Sequence, residues 1–174
     1  MHTEKPYTNA TFTHRVDHQA GRHRPPKAPA EPAICAGCGA SYYRRRWSLT
    51  LPPYTQTGRP NRPLNVRLCP ACRRVEHGAP RGFLHVDGEF VRTHRIDLEH
   101  LIRNEAARAA EDNPLARVVH WGGDGAGGLL VATTTEHLAV RLGRALESAY
   151  DGDLRYGFAH ENKLAHVWWR RDDR

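Results

Sequence analysis

Three features of the sequence predict an α+β chain built from two modules. They are two C-x-x-C pairs separated by a long loop, a change in the sign of the charge near residue 82, and strand and helix patterns from there to the C-terminus. With 174 residues, the chain has room for one compact domain with appendages or for two small domains. A mean hydropathy of −0.70 and a hydrophobic fraction of 39% are low for a packed globule, so part of the chain is expected outside any core.

Residues 1–30 hold His2, His14, His18 and His23 with Pro25, Pro26 and Pro29, and have neither helical nor strand periodicity. They read as a flexible basic tail. His14 and His18 have the spacing of one helical face, but no helix pattern or further ligand accompanies them, so a solvated tail is favoured over a metal role.

Residues 31–82 read as a cysteine-centred module. Its long insertion carries Pro52, Pro53, Pro60 and Pro63 and is not expected to be helical. Residues 83–174 read as a small antiparallel sheet domain with one or two helices. Phe83–Val86 and Glu89–Arg92 flank Asp87-Gly88, a dipeptide suited to a tight turn, which predicts a β-hairpin. Ile96, Leu98, Leu101, Ile102 and Ala106 recur at helical spacing up to Asn113-Pro114. Strands are then expected over 117–121 and 128–132, joined by the glycine-rich stretch 122–127. A Thr-x-x-Glu capping box at Thr133–Glu136 opens a helix with Leu138, Leu142, Ala145, Leu146 and Ala149 on one face. Asp151-Gly152 ends that helix, and strands over 154–159 and 164–170 complete a β-β-α-β-β unit. Its expected core is Val118, Leu130, Leu142, Leu146, Val167 and either Trp168 or Trp169.

The formal charge is +7 overall, but it divides into +3, +7 and −3 over residues 1–30, 31–82 and 83–174. The basic surface therefore belongs to the cysteine module, which stays at +5 after four thiolates take up one Zn²⁺. Such a patch points to a polyanionic partner. No segment reaches the roughly 20 apolar residues of a membrane span, and residues 1–30 lack the apolar centre of a secretory signal, so no membrane role and a cytoplasmic location are expected. In a reducing compartment, paired cysteines favour metal over disulfides.

Cys35, Cys38, Cys69 and Cys72 form the two pairs, and each C-x-x-C turn directs two thiolates toward one ion. Gly39 lets the backbone curl past the first pair. Pro70 rigidifies the second, just before a short helix over 72–76. Four thiolates, with a helix following the second pair, predict one structural Zn²⁺ in a treble-clef-like module. A closed thiolate sphere leaves no water position for catalysis.

The arginines Arg44, Arg45, Arg46, Arg59, Arg62, Arg67, Arg73 and Arg74, interleaved with Tyr42, Tyr43 and Trp47, suit RNA. Guanidinium groups fork onto phosphates, and both residue types stack on unpaired bases. The plainer alternative is a solvated basic face with Trp47 packed against the metal module. The glycine-rich stretch lacks the Gly-Lys-Ser/Thr of a phosphate loop and leads into a strand, so it reads as a hairpin tip. The histidines, among them His85, His120 and His166, have no triad spacing, and no catalytic constellation is recognised.

The pattern Cys35-x-x-Cys38-Gly39-Ala40, Arg46-Trp47, Cys69-Pro70-x-Cys72-Arg73-Arg74, with Gly82, Gly88 and the run Thr-Thr-Thr-Glu-His-Leu at 133–138, resembles the bacterial BCAM-type family of small zinc proteins. That family is similar to the N-terminal part of the archaeal and eukaryotic adaptor for large-ribosomal-subunit export named after nonsense-mediated decay. The resemblance covers about residues 35–170. It implies that the four cysteines are metal ligands, with a ribosome-associated or rRNA-binding role and no export function.

The sequence is accordingly expected to encode a non-enzymatic zinc-binding factor for RNA, rRNA or a ribosomal subunit, whose acidic C-terminal domain contacts a protein or shapes the docking. The rivals are a zinc-stabilised protein-interaction or regulatory module, and a metal-dependent nuclease or hydrolase.

Overall fold

A computed structural model describes residues 28–50, 65–123, 125, 127–159 and 164–172. Residues 1–27 of the expected basic tail, most of the proline-containing insertion with Arg59 and Arg62, and the turn at 161–163 lie outside the described residues.

The first module is a four-stranded sheet with one short helix. Its strands are β1 (Ala33–Cys35), β2 (Ser41–Tyr43), β3 (Arg46–Ser48) and β4 (Asn65–Arg67), in the order β3-β2-β1-β4. Only β1 and β4 are parallel. Helix α1 (Pro70–Glu76) follows, with Cys69 as its N-cap and Pro70 in its first turn, where a missing N–H costs nothing. The core is small: Ala33, Ala40, Tyr42, Trp47 and Ala71 surround the buried Cys35 and Cys69.

The second module is one five-stranded sheet, β6-β7-β5-β9-β8, made of β5 (Gly82–Asp87), β6 (Val118–Gly123), β7 (Leu129–Thr133), β8 (Asp153–Ala159) and β9 (Leu164–Arg170). β5 and β9 are parallel and the other pairs antiparallel. Helix α3 (Glu136–Tyr150) lies across β5 and β9, and α2 (Glu89–Asp112) packs on α3. Leu84, Val86, Leu98, Ile102, Leu129, Val131, Leu138, Leu142, Leu146, Val167 and Trp169 fill the space between helices and sheet.

Several local expectations are corrected. Asp87-Gly88 does not turn a hairpin: β5 runs straight into α2, and β5 pairs with β7 and β9 instead. Gly88 sits at φ 112°, where an added Cβ would lie 2.0 Å from the Arg171 carbonyl oxygen, so this residue serves a close strand-to-helix junction. Phe90 and Val91 then bury against the core as helix residues. Ile96 is 71% exposed: two residues before Leu98, it stands on the side of α2 opposite the buried Val91, Leu98, Ile102 and Ala109. The cap of α3 is Thr135, whose hydroxyl accepts from the Leu138 N–H at 3.2 Å. Thr133 stays in β7 and donates to the carbonyls of Thr135 and Gly82.

Strand alternation settles the paired tryptophans. Trp169 faces the helices, fully buried, with its indole N–H on the Asp151 carbonyl at 2.8 Å. Trp168 belongs to the opposite face with Phe83, His85 and His166. Leu130 also lies on that opposite face, so Leu129 and Val131 take the core places expected of it. Ala149 is exposed, whereas Ala139 and Gly143 join Leu138, Leu142 and Leu146 on the buried side of α3.

The modules meet along α1 and β6. Leu115 packs against the cysteine core, the Arg74 guanidinium donates to the Thr134 carbonyl at 3.3 Å, and Arg81 N–H donates to the Thr133 carbonyl at 2.7 Å. Burial, then the neighbouring Arg81 charge, lowers the pKa of Arg74 from its ordinary value.

Candidate metal centre and basic surface

Cys35 ends β1, and Cys38 follows in a tight knuckle whose return is fixed by Gly39 N–H on the Cys35 carbonyl (2.9 Å) and Cys35 N–H on the Ala40 carbonyl (2.8 Å). Gly39 takes φ 72°, as its place after the pair predicted. Cys69 caps α1 and Cys72 stands in its first turn, which brings the second pair under the first. The four sulfurs all lie within 4.8 Å of one another.

That spacing fits a metal ion. A tetrahedron with metal–sulfur bonds of about 2.3 Å has sulfur–sulfur edges of about 3.8 Å. Cys38 Sγ and Cys69 Sγ are 3.8 Å apart. Backbone N–H groups support the sulfurs from outside: Cys69 N–H donates to Cys35 Sγ at 3.1 Å and Cys72 N–H to Cys69 Sγ at 3.4 Å.

The sulfurs also shift one another's protonation. Burial alone would push the Cys35 thiol up, but N–H donation from Cys69, Gly37 and Cys38, with the Cys38 side chain, holds it down at about 6. Burial drives the Cys69 and Cys72 thiols up, with crowding by the neighbouring sulfurs adding to it. Four thiolates this close repel one another, and a cation among them removes the conflict.

Gly37 is a contributor that the spacing argument missed. An added Cβ there would lie 3.0 Å from Cys72 Sγ and 3.2 Å from Leu68 Cδ2, so a larger residue would crowd the second pair. The legible signal was the glycine between the two cysteines of Cys-Ala-Gly-Cys-Gly.

The basic residues separate into two groups. Arg44, Arg45 and Arg46 are exposed at the β2–β3 hairpin and Arg67 is exposed on β4, whereas Arg73 and Arg74 are half-buried on α1. Trp47 is only 8% exposed and packs on Tyr42, its partner in strand register, with ring centroids 5.2 Å apart. Its ring therefore belongs to the module core and is not presented for base stacking, a correction to its place among the expected nucleic-acid contacts.

Arg44 and Arg45 form a two-residue loop between β2 and β3, with φ of 50° and 61°. Both residues are thus left-handed, the pattern of a type I′ turn that usually takes Asn-Gly. Glu31 lies behind the turn, its carboxylate accepting from Arg44 N–H at 3.0 Å and Arg45 N–H at 2.6 Å. Arg44 extends over the Tyr43 ring, with its guanidinium carbon 5.4 Å from the centroid.

Among the described residues, the four cysteines are the one cluster of three or more His, Cys, Asp and Glu side chains arranged to hold a metal ion. No described helix is long and apolar enough to cross a membrane. No family model, curated protein or solved structure matches the chain significantly.

Proposed function

We propose that the chain is a non-enzymatic RNA- or ribosome-associated factor whose metal is a single structural Zn²⁺ and whose docking surface is the arginine-rich face of the metal module. Four thiolate ligands select zinc among common divalent ions and close its coordination sphere. The observation that carries the RNA reading is the exposed Arg44-Arg45-Arg46 tip on a module that is +5 with zinc bound, joined to a C-terminal region of net charge −3. Arginine at an exposed turn supplies bidentate phosphate contacts, and its affinity for RNA is salt-dependent. The acidic region is left for a protein contact or for shaping the docked geometry. A ribosomal partner carries with it a cytoplasmic location.

Sedimentation of the protein with ribosomes through a density gradient, at low and high salt, tests this reading. The expected result is co-migration with a ribosomal subunit at low salt and release at high salt. Replacing Arg44, Arg45 and Arg46 together by alanine should lower the slope of log affinity against log salt by up to about three phosphate contacts, with zinc content unchanged. Migration with free protein under both salts would overturn the proposal, and an unchanged slope would move the contact away from this tip.

A further inference from the structure

The geometry points to Glu31 as a positioning residue that preforms the Arg44–Arg45 turn for binding phosphodiester, an inference that rests on the RNA reading above. Residues with a Cβ avoid the left-handed region, and here two consecutive arginines occupy it, at φ 50° and 61°. In a two-residue hairpin loop the N–H groups of both central residues point away from the strand ladder, toward water. In this molecule a single carboxylate, brought from just before β1, takes both of them at 3.0 and 2.6 Å. The contact reaches 13 and 14 residues along the chain, so it ties the tip to the base of the module's first strand.

The placement of the charge matters as much as its presence. Glu31 engages the backbone, and among the described residues it forms no ion pair with a guanidinium. The side chains of Arg44, Arg45 and Arg46 remain exposed, Arg44 over the Tyr43 ring, on a turn whose backbone is already fixed. Fixing the turn beforehand removes an ordering cost that RNA binding would otherwise carry. Glu31 is thus an acidic residue beside a cationic tip whose loss should weaken the binding of a polyanion.

That sign separates positioning from plain electrostatics. Removing a negative charge from a basic surface strengthens binding to RNA if nothing else changes. If Glu31 holds the turn, Glu31→Gln instead weakens binding to ribosomal RNA by roughly five-fold at every salt concentration, through lost preorganisation. The salt slope should stay the same, because no phosphate-contacting cation is lost. In Arg45→Gly, where glycine accepts the positive φ unaided, the further cost of Glu31→Gln should shrink.

The experiment pairs two measurements on zinc-loaded full-length protein: amide hydrogen exchange at Arg44 and Arg45, and binding to ribosomal RNA over a salt series, for wild type, Glu31→Gln, Glu31→Asp and the Arg45→Gly pair. The expected result is exchange at both amides faster by about ten-fold or more in Glu31→Gln with zinc retained, weaker RNA binding, and partial recovery in Glu31→Asp. Unchanged exchange overturns the clamp, and faster exchange with equal or tighter RNA binding overturns its positioning role. If Glu31→Gln loses zinc, Glu31→Asp and the Arg45→Gly background decide by the same two readouts. Wild-type protein that does not bind RNA overturns the RNA reading and with it the positioning role, while the exchange data still judge the clamp separately.

Discussion

The two modules of this chain are held together by different physics. The sheet domain buries Leu84, Leu98, Ile102, Leu138, Leu142, Leu146, Val167 and Trp169 between two helices and five strands, so its stability comes from apolar area removed from water. Among the described residues, the cysteine module has three buried alanines, Tyr42 and Trp47 around its sulfurs, with Leu68 and Leu115 packed against them, little apolar surface to hold four three-residue strands and one seven-residue helix. On the zinc reading proposed above, the missing stabilisation comes from metal coordination, which in small thiolate sites amounts to folding free energy. One half of the chain should therefore answer to chelators and the other to cavities.

The largest effect tests that contrast directly. Cys72→Ser, or removal of zinc by a chelator, is expected to unfold the cysteine module and release the metal while the sheet domain keeps its fold. Hydrogen exchange resolves the two regions: amides of β1–β4 and α1 should lose protection, and those of β5, β7 and β9 should keep it. Full zinc retention with unchanged protection in the first module would remove the metal from the account of its stability.

The reverse experiment comes next in size. Leu142 is fully buried at the centre of α3, and Leu142→Ala should cost about 2–5 kcal/mol through lost burial and an unfilled cavity. Chemical denaturation should show this as a lower midpoint for the sheet domain, with zinc stoichiometry unchanged under native conditions. Zinc release by this substitution would mean that the two regions fold as one unit.

How much of this contrast could be read in the sequence depends on the range of the interactions involved. The metal ligands were legible because a C-x-x-C spacing is a local geometric constraint, and α3, β8 and β9 were legible because their periodicities are local too. Asp87-Gly88 misled because a flexible Asp-Gly step serves a hairpin and a strand-to-helix junction equally well. The choice between them was made by β9, some 80 residues away, whose extension past Arg170 fills the space at Gly88. The parallel β5–β9 pairing, the merging of residues 82–170 into one sheet and the Glu31 clamp are likewise non-local, and none leaves a periodic trace. Trp47 was ambiguous for another reason: an indole between arginines and a cysteine pair has the same composition whether it stacks on RNA or on Tyr42.

A smaller effect probes the seam between the regions. Arg74 reaches from α1 to the Thr134 carbonyl, and Thr134 in turn binds the Leu115 and Arg117 backbone around the β6 entry. Arg74→Met keeps the apolar stem and removes the charged hydrogen bond, which should cost about 1 kcal/mol. The informative readout is coupling: in Arg74→Met, chelation of zinc should change protection at β6 and at the β7–α3 junction less than it does in wild type. Equal changes in both proteins would place the coupling in the Leu115 packing instead.

The smallest effect belongs to the sheet domain alone and concerns pH. His166 lies on the outer face of the sheet, its ring stacked on Phe83 with centroids 4.9 Å apart and its Nδ1 3.2 Å from His85 Nε2. Burial lowers its pKa below the ordinary histidine value, so the folded state favours the neutral ring. The unfolded chain takes up a proton at His166 before the folded one does. Its contribution is therefore fully present above the ordinary value near 6.5 and is lost as the pH falls from there through the lowered folded value. Thermal unfolding of the sheet domain should accordingly weaken between neutral and mildly acidic pH. His166→Phe, which keeps an aromatic ring against Phe83 and Trp168, should flatten that dependence. An equally steep pH profile in His166→Phe would assign the sensitivity to other groups, and a sensitivity that disappears on zinc removal would assign it to the cysteine module.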